Sequence, residues 1–392
     1  MNYVGTARPI HDAKGKATGY SKYAGDLSLP NMAYLCMLHS KIPHGYVKAV
    51  HAEKALALPG VYGVYHCLNT SERKYNRYRS SFNQAYLANE ERAFNQYVRF
   101  VGDKIGAVAA CDQETAERAA RLVEVEYEEL PFSIGFDDTL AGKNCLEGET
   151  PVRDEYTLEV GKKQESTEGL IEVCSTMELP RLHHATMETH ACIADYDPYS
   201  DMLTVYCPNQ AVHGIRTVLA DFLEMPESHI RVVKATMGGS FGAKQEWFLE
   251  PVTALVAKKL CRPVKLVYSR GEAMTDTIVR GAMRMSARGY YTPDGEMKEI
   301  YCDATLDAGA YIGNAGDYVR ALAGKPTRCY RIPYMHYHGQ VISSNSPVSG
   351  AFRSWSAAEE ALMMERQLDA AAEKLGMDRL AIRLKNVARS GE

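Results

Sequence analysis

The sequence predicts an α+β protein in which a small α/β domain precedes a larger mixed α/β domain. A strand–helix–strand pattern closes near residue 133, and a stretch rich in glycine and charge follows it. Strand and helix patterns resume beyond that stretch. We therefore predict a first domain at 1–133, a linker at 134–168 and a second domain at 169–392.

Composition and charge limit the classes of function. Of 392 residues, 46% are hydrophobic and 24% are charged, as in ordinary globular proteins. The net charge of −4 gives no basic surface for nucleic acid or an anionic membrane. The first residues contain no apolar signal segment, and no run of 18 apolar residues occurs. We expect a cytoplasmic protein that binds neither nucleic acid nor a membrane.

Periodic apolar residues predict the elements of the first domain. Strands are expected at "AYLCMLHS", "VYGVYH", "KIGAVAAC" and "EVEYEEL". Helices are expected at "VKAVHAEKALAL", ended by Pro59 and Gly60, and at "QETAERAARLV", capped by Asp112. The segment "ERKYNRYRSSFNQAYLANEERAFNQ" lacks clear periodicity, so we interpret it as an extended surface loop.

The second domain shows strand patterns separated by helices. "IEVCSTMEL", "ACIADYD", "DMLTVYC" and "PVKLVYSR" predict strands, and alternating residues at 283–306 predict an antiparallel arrangement. "AVHGIRTVLADFLEM" predicts a helix stopped by Pro226. Two further helices are expected at "AAEEALMMERQLDAAAEKLG", which ends in Gly376, and at "MDRLAIRLKNV".

The cysteines and paired histidines do not form a metal-ligand pattern. No two of the ten cysteines are close enough for a C-x-x-C pair, so any iron–sulfur cluster must sit on another chain. We expect the cysteines to be reduced, buried thiols. His183 and His184 lack further ligands at ordered spacing, which favours a structural role for both.

A glycine-rich turn stands out at residues 230–260, "IRVVKATMGGSFGAKQEWFLEPVTALVAKKL". It fits neither phosphate-binding motif, because Ala243 precedes Lys244 where a glycine is needed and the glycines have the wrong spacing. Gly238 and Gly239 permit close approach of a ligand, and a following helix would offer unpaired N–H donors. A tight strand-to-helix connection with a buried Phe241 is the competing interpretation.

Several motifs along the chain resemble, in order, those of one enzyme family. "GGSFGAKQE" resembles the G-G-x-F-G-x-K loop of the molybdenum hydroxylases, the xanthine dehydrogenase and aldehyde oxidase family. "GKATGYSKYAGDLSLPNMAY", "IPHGYVKAVHAEKALALPGVYGVY" and "FVGDKIGAVAACDQETAERAARLVEVEYEELP" resemble its small α/β hammerhead domain. "HHATMETHACIADYD", "LDAGAYIGNAG", "SPVSGAFRSWSAAEE" and "DRLAIRLKNVARSGE" resemble its molybdopterin-binding half.

The resemblance implies a fold, a cofactor and partners. The hammerhead domain is followed by the first mixed α/β molybdopterin-binding domain, and the second half of the family's subunit is absent. The implied cofactor is molybdenum–molybdopterin, in a dinucleotide form, which oxidises an N-heterocycle (purine-like) or an aldehyde with water-derived oxygen. FAD and 2Fe–2S clusters are expected on partner chains, an FAD subunit and an iron–sulfur subunit. A further chain is expected to carry the second molybdopterin-binding half and the base glutamate.

The resemblance also implies site residues, and none of them is a catalytic group or a direct metal ligand. Gln210 matches a glutamine that hydrogen-bonds a molybdenum oxygen. The expected cofactor-binding residues are Gln210, Gly239, Phe241, Gly242, Phe352 and Arg353. The expected substrate-pocket residues are Gln245, Arg320 and Trp355.

The sequence departs from the family pattern at the site. Ser240 and Ala243 replace frequent glycines, and Gln245 stands where purine-oxidising members carry a glutamate. "SWSAAEE" replaces "GFGxPQ", which adds bulk beside the pocket. Two hypotheses therefore stand. The chain is one part of a split molybdenum hydroxylase, inactive alone, or it is a non-catalytic scaffold or truncated paralogue that no longer binds molybdenum.

Overall fold

A computed structural model describes residues 4–78, 89–144, 146 and 150–389 of the chain. The strands in these ranges are β1 Ala33–His39, β2 Gly45–His51, β3 Val61–His66, β4 Lys74–Tyr75, β5 Glu91–Arg92, β6 Tyr97–Val98, β7 Lys104–Ala110, β8 Glu124–Glu129, β9 Val152–Gly161, β10 Ile171–Leu179, β11 Ala191–Asp197, β12 Met202–Cys207, β13 Ile230–Lys234, β14 Val264–Val267, β15 Ala282–Tyr291, β16 Met297–Asp307 and β17 Tyr334–Ile342.

The α-helices lie between and after these strands. They are α1 Ala13–Ala17, α2 Glu53–Leu56, α3 Gln113–Ala120, α4 Phe136–Leu140, α5 Val212–Leu223, α6 Glu250–Leu260, α7 Arg270–Thr275, α8 Ala315–Ala323, α9 Ala357–Leu375 and α10 Arg379–Asn386. Asp112 caps α3 by accepting a hydrogen bond from Thr115 N at 2.7 Å, as predicted. Helix α9 ends at Gly376 in the left-handed conformation, also as predicted.

One seven-stranded sheet contains strands from both predicted domains. Its order is β13-β12-β11-β14-β1-β7-β3, and β1 pairs in parallel with β14 from Ala33 opposite Val264 to Leu35 opposite Leu266. Helix α3 packs on β1 and β7, while α5 and α6 pack on β11–β14. A continuous apolar core lies between these layers. The two predicted domains therefore share a sheet and a core.

A five-stranded sheet, β10-β15-β16-β17-β9, forms the second core. Its pairs are antiparallel except for β16 with β17. Helices α8 and α9 pack on it and bury residues such as Leu322 and Leu368 against Met285, Ile300 and Tyr337. The predicted α+β class is confirmed, with the antiparallel strands expected at 283–306 present as β15 and β16.

Three local predictions differ from the structure. Residues 152–161 of the expected linker form strand β9, which pairs with β17. Side chains on one face of β9 are partly buried, and those on the other face are exposed. Residues 47–51 of the expected helix "VKAVHAEKALAL" belong to strand β2, and within this segment only Glu53–Leu56 is helical. The expected surface loop at 72–96 buries Phe94 and an ion pair between Arg77 and Glu91, while residues 79–88 of it lie outside the described residues.

The cysteines are not uniformly buried, contrary to expectation. Cys67, Cys192, Cys207 and Cys302 are buried, whereas Cys111, Cys174, Cys261 and Cys329 are exposed; Cys36 is intermediate, and Cys145 lies outside the described residues. All nine described cysteines are free thiols. Among the described residues, no helix has the length and apolar content that a membrane span requires.

Candidate functional site

The glycine turn begins where strand β13 ends, on the seven-stranded sheet. Gly239 has φ +98° and Gly242 has φ +108°, a region that favours glycine. Helix α6 begins only at Glu250, eight residues beyond Gly242, so the expected helix N-terminus is not at the turn. Residues 241–249 instead form an irregular segment that is largely buried from Ala243 onward.

A second loop, at 350–356, packs directly on this turn. A Cβ added at Gly242 would lie 2.3 Å from the carbonyl oxygen of Ala351 and 3.0 Å from the nitrogen of Phe352. Only glycine allows the two backbones to approach so closely. The structure thus brings together two segments predicted separately from the sequence, "GGSFG" and "GAFR".

An ion pair between Lys244 and Glu188 fixes the glycine turn to the segment 183–190. Lys244 Nζ donates to Glu188 Oε2 at 2.6 Å and to the carbonyl of Glu188 at 3.0 Å. The same Oε2 accepts from the backbone nitrogen of Gly238 at 2.7 Å. Burial lowers the pKa of Lys244, which Glu188 counteracts. Glu188 therefore ties both ends of the turn to the segment 183–190.

Two neutral histidines hold the two loops. His184 Nε2 donates to Ala351 O at 2.9 Å, and His190 Nε2 donates to Ala243 O at 2.9 Å. Burial lowers the pKa of each imidazole to about 4, so both are uncharged at neutral pH. His183 bonds the carbonyl of Ala273 at 2.8 Å. These contacts agree with the structural role predicted for His183 and His184.

Gln210 lies beside the turn, in the segment that follows β12. Its backbone nitrogen donates to Lys244 O at 2.8 Å, and its Oε1 accepts from Ser240 Oγ at 2.5 Å. The Gln210 side chain is exposed, whereas Ser240 is buried. The structure therefore places Gln210 at the mouth of the glycine turn, with its carbonyl oxygen already bonded.

Phe241, Phe352 and Arg353 line the exposed side of the two loops. Phe241 is 51% exposed with φ +55°, which is uncommon for a bulky residue and excludes the buried-phenylalanine interpretation of the turn. Phe352 stacks on His184 with ring centroids 4.2 Å apart. Arg353 is exposed, and its carbonyl accepts from Arg280 Nη2 at 2.9 Å.

Three residues with positive φ follow Arg353. Ser354, Trp355 and Ser356 have φ values of +86°, +46° and +64°. Trp355 contacts Tyr318 at 5.3 Å and Tyr78 at 6.4 Å between ring centroids. The loop thus has a left-handed backbone at three non-glycine residues, and Trp355 forms an aromatic cluster with Tyr318 and Tyr78.

The remaining pocket predictions have different outcomes. Gln245 is half-buried in the glycine turn segment, two residues beyond Ala243. Arg320 on α8 forms a bidentate pair with Asp154 of β9, at 2.5 and 2.9 Å, and lies over the ring of Tyr156. This ion pair between helix and sheet favours a structural role for Arg320.

Sequence reasoning missed several residues that support the site. Arg280 bonds Glu359 and lies over the ring of Phe352, 4.2 Å from its centroid. Glu246 is buried beneath the second loop, where its Oε1 accepts from Asn314 Nδ2 at 2.8 Å. Burial raises the pKa of Glu246 to about 8, an effect that the nearby Arg77 opposes. No motif marks Arg280, whereas Glu188 lies in the quoted "HHATMETH" segment.

Among the described residues, no group of three His, Cys, Asp or Glu side chains is arranged to hold a metal ion. The exposed side of the two loops instead offers backbone groups, an amide, aromatic rings and a guanidinium. Such a surface suits a large organic ligand better than a bare cation.

Two family models each match one part of the chain. Residues 149–387 match the molybdopterin cofactor-binding domain family. Residues 18–131 match the a/b hammerhead domain of aldehyde oxidase and xanthine dehydrogenase.

Curated relatives match nearly the whole chain. The xanthine dehydrogenase molybdenum-binding subunit of Escherichia coli O157:H7 is 30% identical over 97% of this chain, but only 51% of that protein is covered. The nicotinate dehydrogenase large molybdopterin subunit of Eubacterium barkeri is 30% identical over 97% of this chain and 88% of its own length. The chain thus spans about half the length of several curated relatives and 88% of the length of the nicotinate dehydrogenase subunit.

Solved structures show the same fold. The aldehyde oxidoreductase of Desulfovibrio gigas superimposes with a TM-score of 0.92 at 25% identity, covering 99% of this chain and 44% of that one. Quinoline 2-oxidoreductase of Pseudomonas putida gives a TM-score of 0.91 at 24% identity, covering 98% and 50%.

Proposed function

The chain belongs to the xanthine dehydrogenase and aldehyde oxidase family of molybdenum hydroxylases, and we propose that it forms one part of a split molybdenum-binding subunit. The packing of Gly242 on Ala351 carries this proposal, because it joins the two loops beside Gln210. The match to 88% of the nicotinate dehydrogenase large molybdopterin subunit supports the proposal of a split subunit.

The residues fit a bound molybdenum–molybdopterin, which we propose to be a dinucleotide form. Gly242 lacks the Cβ that would push the turn away from the backbone of Ala351, and Gly239 has a φ of +98° that favours glycine. Phe241 holds a half-exposed ring at the turn. We propose that Gln210, Gly239, Phe241, Gly242, Phe352 and Arg353 contact the cofactor. When bound, this cofactor supplies the oxidation of a carbon centre with oxygen from water. The side chains of this chain orient the cofactor and shield it.

The proposed substrate is an N-heterocycle or an aldehyde. We assign Gln245 and Trp355 to the pocket and leave out Arg320, whose guanidinium is engaged by Asp154. The neutral amide of Gln245 cannot replace a glutamate toward a purine, so we expect pyridine-type heterocycles or aldehydes to be oxidised faster than purines. A panel of these three substrate classes tests the assignment, and dominant purine oxidation would contradict it.

The proposed partners supply what the chain does not. They are a chain with the second molybdopterin-binding half and the base glutamate, an FAD subunit, and an iron–sulfur subunit with 2Fe–2S clusters. The chain alone is then inactive. Affinity purification of the tagged chain from its native cells, with mass spectrometry of the co-purified proteins, tests this composition.

The metal content of that complex tests the proposal most directly. We expect close to one molybdenum per chain, reduced in the Phe241→Ala and Arg353→Ala variants. Phe132→Ala and Arg121→Ala are matched controls, because Phe132 is 48% exposed and the Arg121 side chain is 76% exposed. Arg121 lies within the segment that matches the hammerhead domain, and Phe132 directly follows that segment. No metal in cells whose other molybdoenzymes are loaded would contradict the proposal and favour the scaffold.

A further inference from the structure

The Ser240 hydroxyl connects the glycine turn to Gln210. Its Oγ donates to Gln210 Oε1 at 2.5 Å and accepts from the backbone nitrogen of Lys244 at 3.1 Å. Ser240 is only 7% exposed, so the bond to the amide is shielded from water. Because the carbonyl end of the amide faces Ser240, its Nε2 end points to the opposite side.

A second serine–glutamine pair in the molecule serves as a comparison. Ser175 Oγ donates to Gln367 Oε1 at 2.6 Å, and Gln367 Nε2 donates to Val173 O at 2.9 Å. Gln367 is fully buried, so both ends of its amide are engaged within the protein. The Gln210 side chain has the same contact at its carbonyl end but is exposed, so its donor end is available to a ligand.

We propose that Ser240 is a positioning residue that holds the Gln210 amide with its Nε2 donors toward the bound cofactor. The inference rests on the proposed function, since it assigns the direction of the Gln210 amide toward that cofactor. A glycine at position 240 would leave this amide free to rotate and to present either end. With Ser240, the site offers hydrogen-bond donors to an oxygen acceptor and disfavours a ligand group that is itself a donor.

The first experiment measures the amide itself, without reference to activity. Gln210 is one of eight glutamines in this chain, so ¹⁵N-glutamine labelling of this chain alone, assembled with unlabelled partners, gives few side-chain signals. The Gln210 signal is identified by its loss in Gln210→Ala. We expect an ordered amide in the wild type and a lower order parameter in Ser240→Ala, with order recovered in Ser240→Thr, which keeps the hydroxyl. Equal order in wild type and Ser240→Ala would overturn the proposal.

The second experiment measures the metal centre in the loaded complex. We expect Ser240→Ala to retain the molybdenum content, to shift the Mo(V) electron paramagnetic resonance spectrum, and to lower kcat about three- to tenfold, the range expected for one lost hydrogen bond. In a Gln210→Ala background the same substitution should change neither spectrum nor rate further. Ser175→Ala is the control, since it removes a matched serine–glutamine bond between strand β10 and helix α9 and should leave the spectrum unchanged.

The outcomes separate this inference from the proposed function. Molybdenum in the wild type with identical spectra in wild type and Ser240→Ala would overturn the inference and leave the proposed function standing. A shift of equal size in the Gln210→Ala background would also overturn it, because Ser240 would then act without Gln210. A wild-type complex without molybdenum would overturn both.

Discussion

The backbone of Gly242 lies so close to Ala351 that the carbonyl oxygen of Ala351 would be 2.3 Å from any Cβ at position 242. Real Cβ atoms do not occur at such a distance from another heavy atom. The neighbouring atoms belong to the backbone of Ala351 and Phe352, so no flexible side chain can move aside. The two loops of the candidate site therefore hold their spacing only while residue 242 is glycine.

Replacing Gly242 with alanine should separate the two loops. The φ of +108° and the clash together lead us to expect a loss of at least about 2–3 kcal/mol of unfolding free energy, together with loss of bound molybdenum. Urea unfolding and metal analysis measure the two effects. Gly324→Ala is the control, because a Cβ there meets open space at ordinary φ. Equal stability of the two variants would contradict the prediction.

Breaking the buried pair of Lys244 and Glu188 should destabilise the glycine turn. Lys244→Met leaves the carboxylate of Glu188 buried without its cation, which costs about 3–5 kcal/mol in comparable cases. Adding Glu188→Gln should restore part of the loss, because the charge is then removed. Lys54→Met, in the exposed pair with Glu124, should change the unfolding midpoint very little. If the Lys244→Met, Glu188→Gln double variant is no more stable than Lys244→Met alone, the loss of stability does not come from the unpaired charge of Glu188.

Replacing Ser354 with glycine should stabilise the protein. Ser354 is exposed with φ +86°, which strains a serine but not a glycine. This relief of strain in the folded protein outweighs the larger conformational entropy that glycine adds to the unfolded chain. We expect a gain of about 0.5–1 kcal/mol in thermal or urea unfolding. The same change at exposed Ser28, which has no positive φ, should be neutral or destabilising. A destabilised Ser354→Gly would mean that the serine side chain holds the loop.

The protonation of Glu246 should make stability depend on pH. Burial raises its pKa from 4.5 to about 8, so its favourable contribution is complete below pH 4.5 and is lost as the pH rises to 8. Glu246→Gln mimics the protonated acid and does not titrate. We expect equal stability of variant and wild type near pH 4.5, and a variant more stable by on the order of 4 kcal/mol above pH 8.

Urea unfolding of both proteins at several pH values tests the role of Glu246. The difference between the two curves isolates this group, since other titrations, including those of His184 and His190, are common to both. Parallel curves across the range from pH 4.5 to 8 would show that Glu246 is ionised in the folded protein.

Local patterns predicted the elements well, but they could not reveal contacts between distant residues. Strands β10 to β12 and β14 to β16, the Asp112 cap and the Gly376 end follow from short-range rules, whereas β9 and β17 were not predicted. Arg280 and Glu359 are 79 positions apart. Arg280 lies outside the quoted family motifs, and Glu359 lies in "SWSAAEE" without an expected role. Burial of Arg77 and Glu91 in an otherwise polar segment likewise depends on tertiary packing.

At the candidate site, the motifs indicated which residues belong together, but not how they are held. Gln210 and the glycine turn were predicted from resemblance, whereas the bond from Ser240 to Gln210 depends on the loop conformation. The helix expected directly after Gly242 begins later, because residues 241–249 pack into the core as an irregular segment before α6.

The parallel pairing of β1 with β14 has a consequence for how the chain folds during synthesis. The amino-terminal part cannot complete its sheet until Val267 has left the ribosome, about 130 residues after the first domain has been translated. At ~5–20 residues per second this wait lasts about 7 to 26 seconds. Throughout this wait, β1 presents unpaired N–H and C=O groups to other nascent chains. A chaperone that covers β1, or a β1 sequence with a low tendency to aggregate, would reduce this risk.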